Sequence, residues 1–294
     1  MKLLRAATLT VPDVTATAER YSRYFDYRTL EQGTVPPDLA AAWGCPGSAG
    51  KACRVLGPSS GAPVFIRLVQ GDPVPGYQPL RSHGWAAIEI CVQDVLAADA
   101  RMKDSPFEII GPPREIEGLP AIYPMQVKGP DGEIIYLTQI RSDLPAFDLP
   151  RAESPIDKLF ILVLACSDMD RSAAWFQQVA GLSFGRRMDI VYTMLANAFG
   201  TPYEQLYTIC TIVHGRDVFL ELDQYPAEAT PRPRHEGELP PAVAICTLSH
   251  PDIAAIPGPW ITPPVRRDGV IYRGRMTGTL AAPDGSLVEI VSLT

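Results

Sequence analysis

The sequence predicts an α+β protein built from four βαβββ modules in tandem, and three observations carry that prediction. One order of elements recurs four times: a short apolar strand, an aspartate able to cap a helix, an amphipathic helix, then three further strands. Proline, 30 residues in all, gathers at Gly71 to Pro79, Pro145 to Pro155 and Pro226 to Pro241, and so cuts the 294-residue chain into four pieces. Glycine-containing turns, Pro130-Asp131-Gly132 and Pro283-Asp284-Gly285, precede the strands that close the second and fourth pieces.

In the first piece, Ala6 to Val11 alternates as a strand and Asp13 offers an N-cap. Val14, Ala18, Tyr21 and Phe25 then share one helical face. The second piece gives Ala87 to Val92, Asp94, then Val95, Ala98 and Met102. The third gives Ile161 to Cys166, Asp168, then Met169, Ala173, Phe176 and Ala180, with Gly181 placed to end the helix in a left-handed cap. The fourth departs from the pattern: after Val243 to Leu248, the stretch Asp252 to Ile256 meets Pro257 within little more than one turn, so its helix is doubtful. Closing strands are expected at Val64 to Val69, Ile134 to Thr138, Val218 to Leu222 and Leu287 to Val291. The division expected is a first domain over 1–145 (modules 1–76 and 83–140) and a second over 156–294 (modules 158–226 and 240–294).

Composition narrows the function classes. With 46% hydrophobic and 20% charged residues the chain reads as globular, and no apolar run approaches the roughly 18 residues that span a membrane. The N-terminus lacks the apolar stretch and cleavage site of a signal peptide. Six scattered cysteines, none spaced as C-x-x-C, fit reduced thiols and a cytoplasmic location. A formal charge of −7 without a basic stripe argues against nucleic acid and leaves a small molecule as the expected partner. No P-loop, dinucleotide fingerprint or G-x-S-x-G elbow is present. Four modules in one chain are compatible with a monomer or a homodimer.

The closing segments GPDGEIIYL and APDGSLVEI, together with HGWAAIEICVQDVLAADARM and FILVLACSDMDRSAAWFQQVAGL, resemble the vicinal oxygen chelate superfamily of glyoxalase I, extradiol dioxygenases and bleomycin-resistance proteins. The resemblance covers nearly the whole chain. It implies that modules pair into two incomplete β-barrels with helices outside. It also implies a divalent metal held by a residue on each first strand and each last strand. Counting back from the capping aspartates puts the first-strand positions at Ala6, Ala87, Ile161 and Val243, none of which can ligate. The last-strand equivalents are Arg67, Tyr136, Glu221 and Glu289. The metal-ligand positions are therefore largely lost, and no metal or other cofactor is expected.

What remains is carboxylate chemistry. If Ala87 faces the barrel then Glu89 does too, with Arg67 or Tyr136 as its partner in the same barrel. Glu221 and Glu289 would define a second, greasy pocket, and Asp223 would lie nearer its rim. Trp85, Tyr123, Gln126, Tyr207 and Tyr272, with His83 beside a mouth, are candidate binding walls. His214, His235 and His250 fall at strand ends or in loops. Two functions fit. The first is a metal-independent lyase or isomerase that acts on a small hydrophobic or aromatic carbonyl compound through Glu89, Glu221 and Glu289 as acid and base. The second is a small-molecule sequestration protein of the bleomycin-resistance type. A third reading, compatible with both, makes one half a purely structural partner.

Overall fold

The computed structural model describes residues 3–293. The first module comprises β1 (Leu4–Val11), α1 (Val14–Phe25), β2 (Arg28–Thr34), a short inserted helix α2 (Pro37–Ala42), β3 (Ala52–Gly57) and β4 (Phe65–Gln70). The second has β5 (Gly84–Val92), α3 (Val95–Lys103), β6 (Glu108–Gly111), β7 (Ile122–Lys128) and β8 (Ile134–Ile140). The third has β9 (Ile156–Cys166), α4 (Met169–Ala180), β10 (Ser183–Val191), a second inserted helix α5 (Thr193–Phe199), β11 (Leu206–His214) and β12 (Asp217–Gln224). The fourth has β13 (Ala242–His250), β14 (Val265–Arg267), β15 (Arg275–Ala281) and β16 (Leu287–Ser292).

The predicted caps form. Asp13 accepts from the amides of Thr15 and Ala16, Asp94 from Leu96 and Ala97, and Asp168 from Arg171. Gly181 ends α4 at φ 62. In the fourth module Asp252 caps only a three-residue 3-10 turn, Ile253–Ala255, because Pro257 removes the next amide donor.

The strands form two eight-stranded sheets, in the orders β14-β15-β16-β13-β1-β4-β3-β2 and β10-β11-β12-β9-β5-β8-β7-β6. Each is a curled half-barrel made of two modules joined through antiparallel first strands, β1 with β13 and β5 with β9. The first module thus pairs with the fourth, and the second with the third. The division at 145–156 marks the repeat in the sequence and not the sheets, since each sheet takes one module from each half.

Three apolar cores result. One, containing the buried faces of α1, α3 and α4 and the outer faces of β1, β5 and β9, lies between the two sheets. The other two fill the barrels. Ala87 and Cys91 belong to the interior of the barrel of modules two and three, while Ile88, Ile90 and Val92 belong to the shared core, as strand alternation requires. The six cysteines are free.

The proline-aspartate-glycine turns fasten the modules. Asp131 accepts from Thr17 Oγ1 and pairs with Arg20, both on α1. Asp284, the equivalent residue of the fourth module, accepts from Ser167 N (2.9 Å) and Ser167 Oγ (2.6 Å) and pairs with Arg171 (3.3 Å) at the start of α4. Each turn therefore docks on the leading helix of the other module in its own half, across the boundary between barrels.

Candidate active site

The barrel of modules one and four is closed by its own side chains. Glu289 on β16 is wholly buried and accepts four hydrogen bonds: from Trp43 Nε1 (2.8 Å), Tyr272 OH (2.9 Å), Thr247 Oγ1 (2.9 Å) and Arg67 (3.1 Å). Arg67 also donates to Thr8 Oγ1 (2.8 Å) and to Tyr272 OH, and lies 4.6 Å from the centre of the Trp43 ring. Burial works against its charge, but Glu289 and Tyr272 more than offset that, and the guanidinium stays protonated. Tyr272 reaches inward from the segment before β15, and Trp43 from the end of α2. The arrangement satisfies each carboxylate oxygen twice.

The barrel of modules two and three is different. Glu89 on β5 and Tyr136 on β8 lie side by side in parallel register, as do Val163 on β9 and Glu221 on β12. Glu89, Tyr136 and Glu221 line one cavity of about 110 Å³, whose other walls are mostly Ile, Leu, Phe and Met side chains such as Ile116, Phe160, Ile161 and Met188. It shares Ile116, Pro124, Gln126, Ile190 and Tyr192 with a wider recess of about 450 Å³, which leads it towards solvent. Thr138 Oγ1 donates to Glu89 Oε1. Tyr192 OH donates to Glu221 Oε1 at 3.4 Å and shares a short hydrogen bond with Tyr136 OH.

The apolar surroundings set the electrostatics. Burial, and then the charge of Glu221, pushes the Glu89 carboxyl up to about 8. Burial pushes Glu221 up to about 7, against the opposing pull of Asp223 and Tyr192. Asp223, two residues further along β12, is fully buried rather than near a rim, and neither of its carboxyl oxygens has a hydrogen-bond partner. Burial and the nearby charges of Glu221 and Glu89 hold it protonated, well above the usual carboxylate range. It couples to Glu221 by proximity rather than through a well-formed hydrogen bond.

The expected site residues therefore regroup. Glu89 keeps Tyr136 but not Arg67, which lies in the other barrel. Glu221 and Glu289 do not share a pocket either: Glu221 joins Glu89, and Glu289 joins Arg67 and Tyr272. Gln126 lines the cavity. Tyr207 lies deeper on β11, where its hydroxyl bonds Thr201 Oγ1 (2.6 Å). Tyr123 stacks under Arg141, 3.6 Å from ring centre to Cζ. Trp85 is core, donating to Leu287 O (2.8 Å), and His83 lies with it on the seam between barrels. Sequence reading missed Tyr192, Thr138, Trp43 and Arg186, the last being the single basic residue among those described around the cavity. Thr138 was reachable, since it follows Tyr136 on the same face of its strand. The others lie on or next to irregular or inserted segments.

No family model matches the sequence, and no curated protein matches it. Solved structures do. Glyoxalase I from Zea mays superposes with a TM-score of 0.64 at 19% identity, covering 99% of this chain and 92% of that one. A variant of the same enzyme gives 0.65 at 18% identity, with 99% and 92% covered. A candidate dioxygenase from Bacillus subtilis gives 0.64 at 14% identity, with 99% and 86% covered. The chain thus has the fold of the vicinal oxygen chelate superfamily. At such identities the likeness is one of fold.

The donors present do not fit the divalent metal that this fold family implies. On each first strand, the residue in register with the closing-strand position is Thr8, Glu89, Val163 or Thr247, later in the strand than the Ala6, Ala87, Ile161 and Val243 obtained by counting from the caps. One barrel thus offers Thr8, Arg67, Thr247 and Glu289, with a guanidinium where a cation would sit. The other offers Glu89, Tyr136, Val163 and Glu221, two acids whose surroundings favour the proton, and no imidazole. Among the described residues no group of three or more His, Cys, Asp or Glu is arranged to hold a metal ion.

Proposed function

We propose that the barrel of modules two and three is the active site of a lyase or isomerase that moves a proton beside the carbonyl of a small hydrophobic or aromatic substrate, without a metal. The observation that carries this reading is the meeting of Glu89 and Glu221 in one apolar cavity, each with a proton affinity near neutrality. Two such acids that interact hold one proton between them over part of the neutral range. Glu221, the more acidic, is then the base that takes a proton from carbon. Glu89, which keeps its proton to higher pH, is the acid that protonates the carbonyl oxygen or the leaving group. Tyr136 and Tyr192 supply phenolic donors to the developing enolate, and the greasy wall excludes water. The two acids come from different halves of the chain, so neither half holds the pair alone.

A sequestration protein is the second reading, favoured by the same apolar wall. The two separate on hydrogen exchange. Incubation with a panel of aryl and alkyl hydroxyketones in deuterated water, followed by NMR, should show enzyme-dependent loss of the proton beside the carbonyl for at least one member. Glu89→Gln and Glu221→Gln should each slow that exchange by roughly 10²- to 10⁴-fold. The rate should be indifferent to chelators. Stoichiometric binding of a panel member that is returned unchanged, with no exchange anywhere in the panel, would establish sequestration instead.

A further inference from the structure

A second pocket, unconnected with the acids, lies on the seam where the two barrels meet. Gly84 opens β5 at φ +107, a conformation that favours glycine. A methyl group built there would stand 3.7 Å from Arg232 Cζ, 3.7 Å from Arg232 Nε and 3.7 Å from Ser286 Oγ, so a guanidinium and a hydroxyl converge on one point beside bare backbone. The pocket around that point is about 170 Å³ and is also lined by His83, Arg234 and Asp284.

Two features there lack an internal explanation. Ser286 is 5% exposed and its hydroxyl has no hydrogen-bond partner, an arrangement that costs free energy unless a ligand or solvent completes it. The charge is also unbalanced. Arg232 is held in place by donating from Nε to Ser82 Oγ (3.3 Å) and from Nη1 to Val243 O (2.8 Å), neither of which neutralises it. The one acid in the lining, Asp284, is engaged by Ser167 and Arg171. Arg234 is exposed at the edge.

From this convergence we infer that the seam pocket binds a phosphate group, as the free anion or as the phosphoryl end of a larger molecule. A tetrahedral dianion accepts on every side, which suits a fixed guanidinium, a second arginine at the rim, an imidazole and an orphaned hydroxyl. A planar carboxylate would satisfy fewer of them. The lining comes from the start of β5 in one barrel, from β13 and the turn before β16 in the other, and from the connection between β12 and β13 that carries both arginines, so the bound anion would tie the barrels together.

The test is a titration of the full chain with inorganic phosphate, sulfate-free and at constant ionic strength, read by calorimetry and by melting temperature. Saturable binding of one phosphate per chain is expected, with a melting temperature that climbs with phosphate concentration. Arg234→Gln and Ser286→Ala should each weaken binding at least about tenfold, the loss of one charge-assisted or buried hydrogen bond. Without phosphate, Arg234→Gln should leave the melting temperature unchanged and Ser286→Ala should leave it equal or slightly higher, since it removes an unpartnered buried hydroxyl. They are preferred to Arg232 variants, which would also free the Val243 carbonyl. Phenyl phosphate binding more tightly than inorganic phosphate assigns the site to a phosphoryl-bearing molecule, and equal affinity assigns it to the free anion. Non-saturable binding, equal competition by acetate at matched ionic strength, or wild-type affinity in both variants overturns the proposal.

Discussion

Glu89 and Glu221 tie proton affinity to folding in a direction opposite to most surface acids. A carboxyl whose folded value lies above its unfolded one contributes stability in full below the unfolded value. That contribution is lost as pH rises through the folded value, about 7 for Glu221 and about 8 for Glu89. Glu133, buried beneath the turn of Asp131 and pushed up to about 8 by burial and then by that aspartate, adds to the same trend. The melting temperature is therefore expected to fall from about pH 5 to about pH 9, and Glu89→Gln to flatten the fall. A profile that rises over this range would show that both acids ionise freely in the folded protein. Arg67 and Glu289 make the contrasting case. Glu289→Gln alone leaves a buried guanidinium without its counter-charge and should cost about 3 to 5 kcal/mol in chemical denaturation, whereas joint replacement by Met and Leu should recover most of it. The inward direction of Glu89, Arg67, Glu221 and Glu289 was legible in the sequence because alternation along a strand is local. Their partners were not, because partnership depends on which modules meet. Asp223 looked like a rim residue because β12 continues past Glu221 in sequence, yet it lies fully buried between Ile209 of β11 and Ala165 of β9.

At the scale of elements, the caps and amphipathic faces did most of the predicting, and they predicted well because each is settled within one turn of chain. Asp13, Asp94 and Asp168 all cap helices in the structure, and the helix that Pro257 threatened is a single 3-10 turn. The inserted helices α2 and α5, of six and seven residues, escaped notice because so short a helix shows no period. Both matter to a barrel interior: α2 delivers Trp43 to Glu289, and Tyr192 immediately precedes α5. The turns of Asp131 and Asp284 were read as hairpin punctuation, but their side chains are inter-module clasps. Asp131→Ala should cost about 1 to 3 kcal/mol in urea unfolding, since it takes the counter-charge from the partly buried Arg20 and one of the two acceptors of the buried Thr17 hydroxyl, which keeps Asp13 O. A change within a few tenths of a kcal/mol would mean that the clasp is solvated and contributes nothing.

For the whole molecule, the repeat was legible and the pairing was not, since four similar modules can be joined in more than one way by the same local signals. The crossed arrangement makes a direct prediction. Cutting the linker between Arg141 and Pro155 with an engineered protease site should leave the two pieces together on gel filtration, because every sheet contains strands from both. Pieces that migrate apart as folded units would contradict the sheet orders. The same arrangement accounts for one barrel holding the candidate site while the other is filled. Residues 89 and 221 face one barrel and residues 67 and 289 the other, although each half contributes to both.

The crossed pairing also imposes a timetable. Modules two and three are neighbours in the chain, so their barrel can close as soon as β12 has been made. β1 has no partner strand on one side until β13 arrives, roughly 170 residues after β4, and the barrel is complete only with β16. At the usual pace of synthesis β13 follows after a wait of about 10 to 35 s. Throughout it the free side of β1 is an open strand edge on a nascent chain, the kind of surface that invites mispairing. The barrel with the exchangeable acids is the early one. The barrel locked by Arg67, Glu289, Trp43 and Tyr272 is the late one, and those four side chains act as the latch that ends the wait.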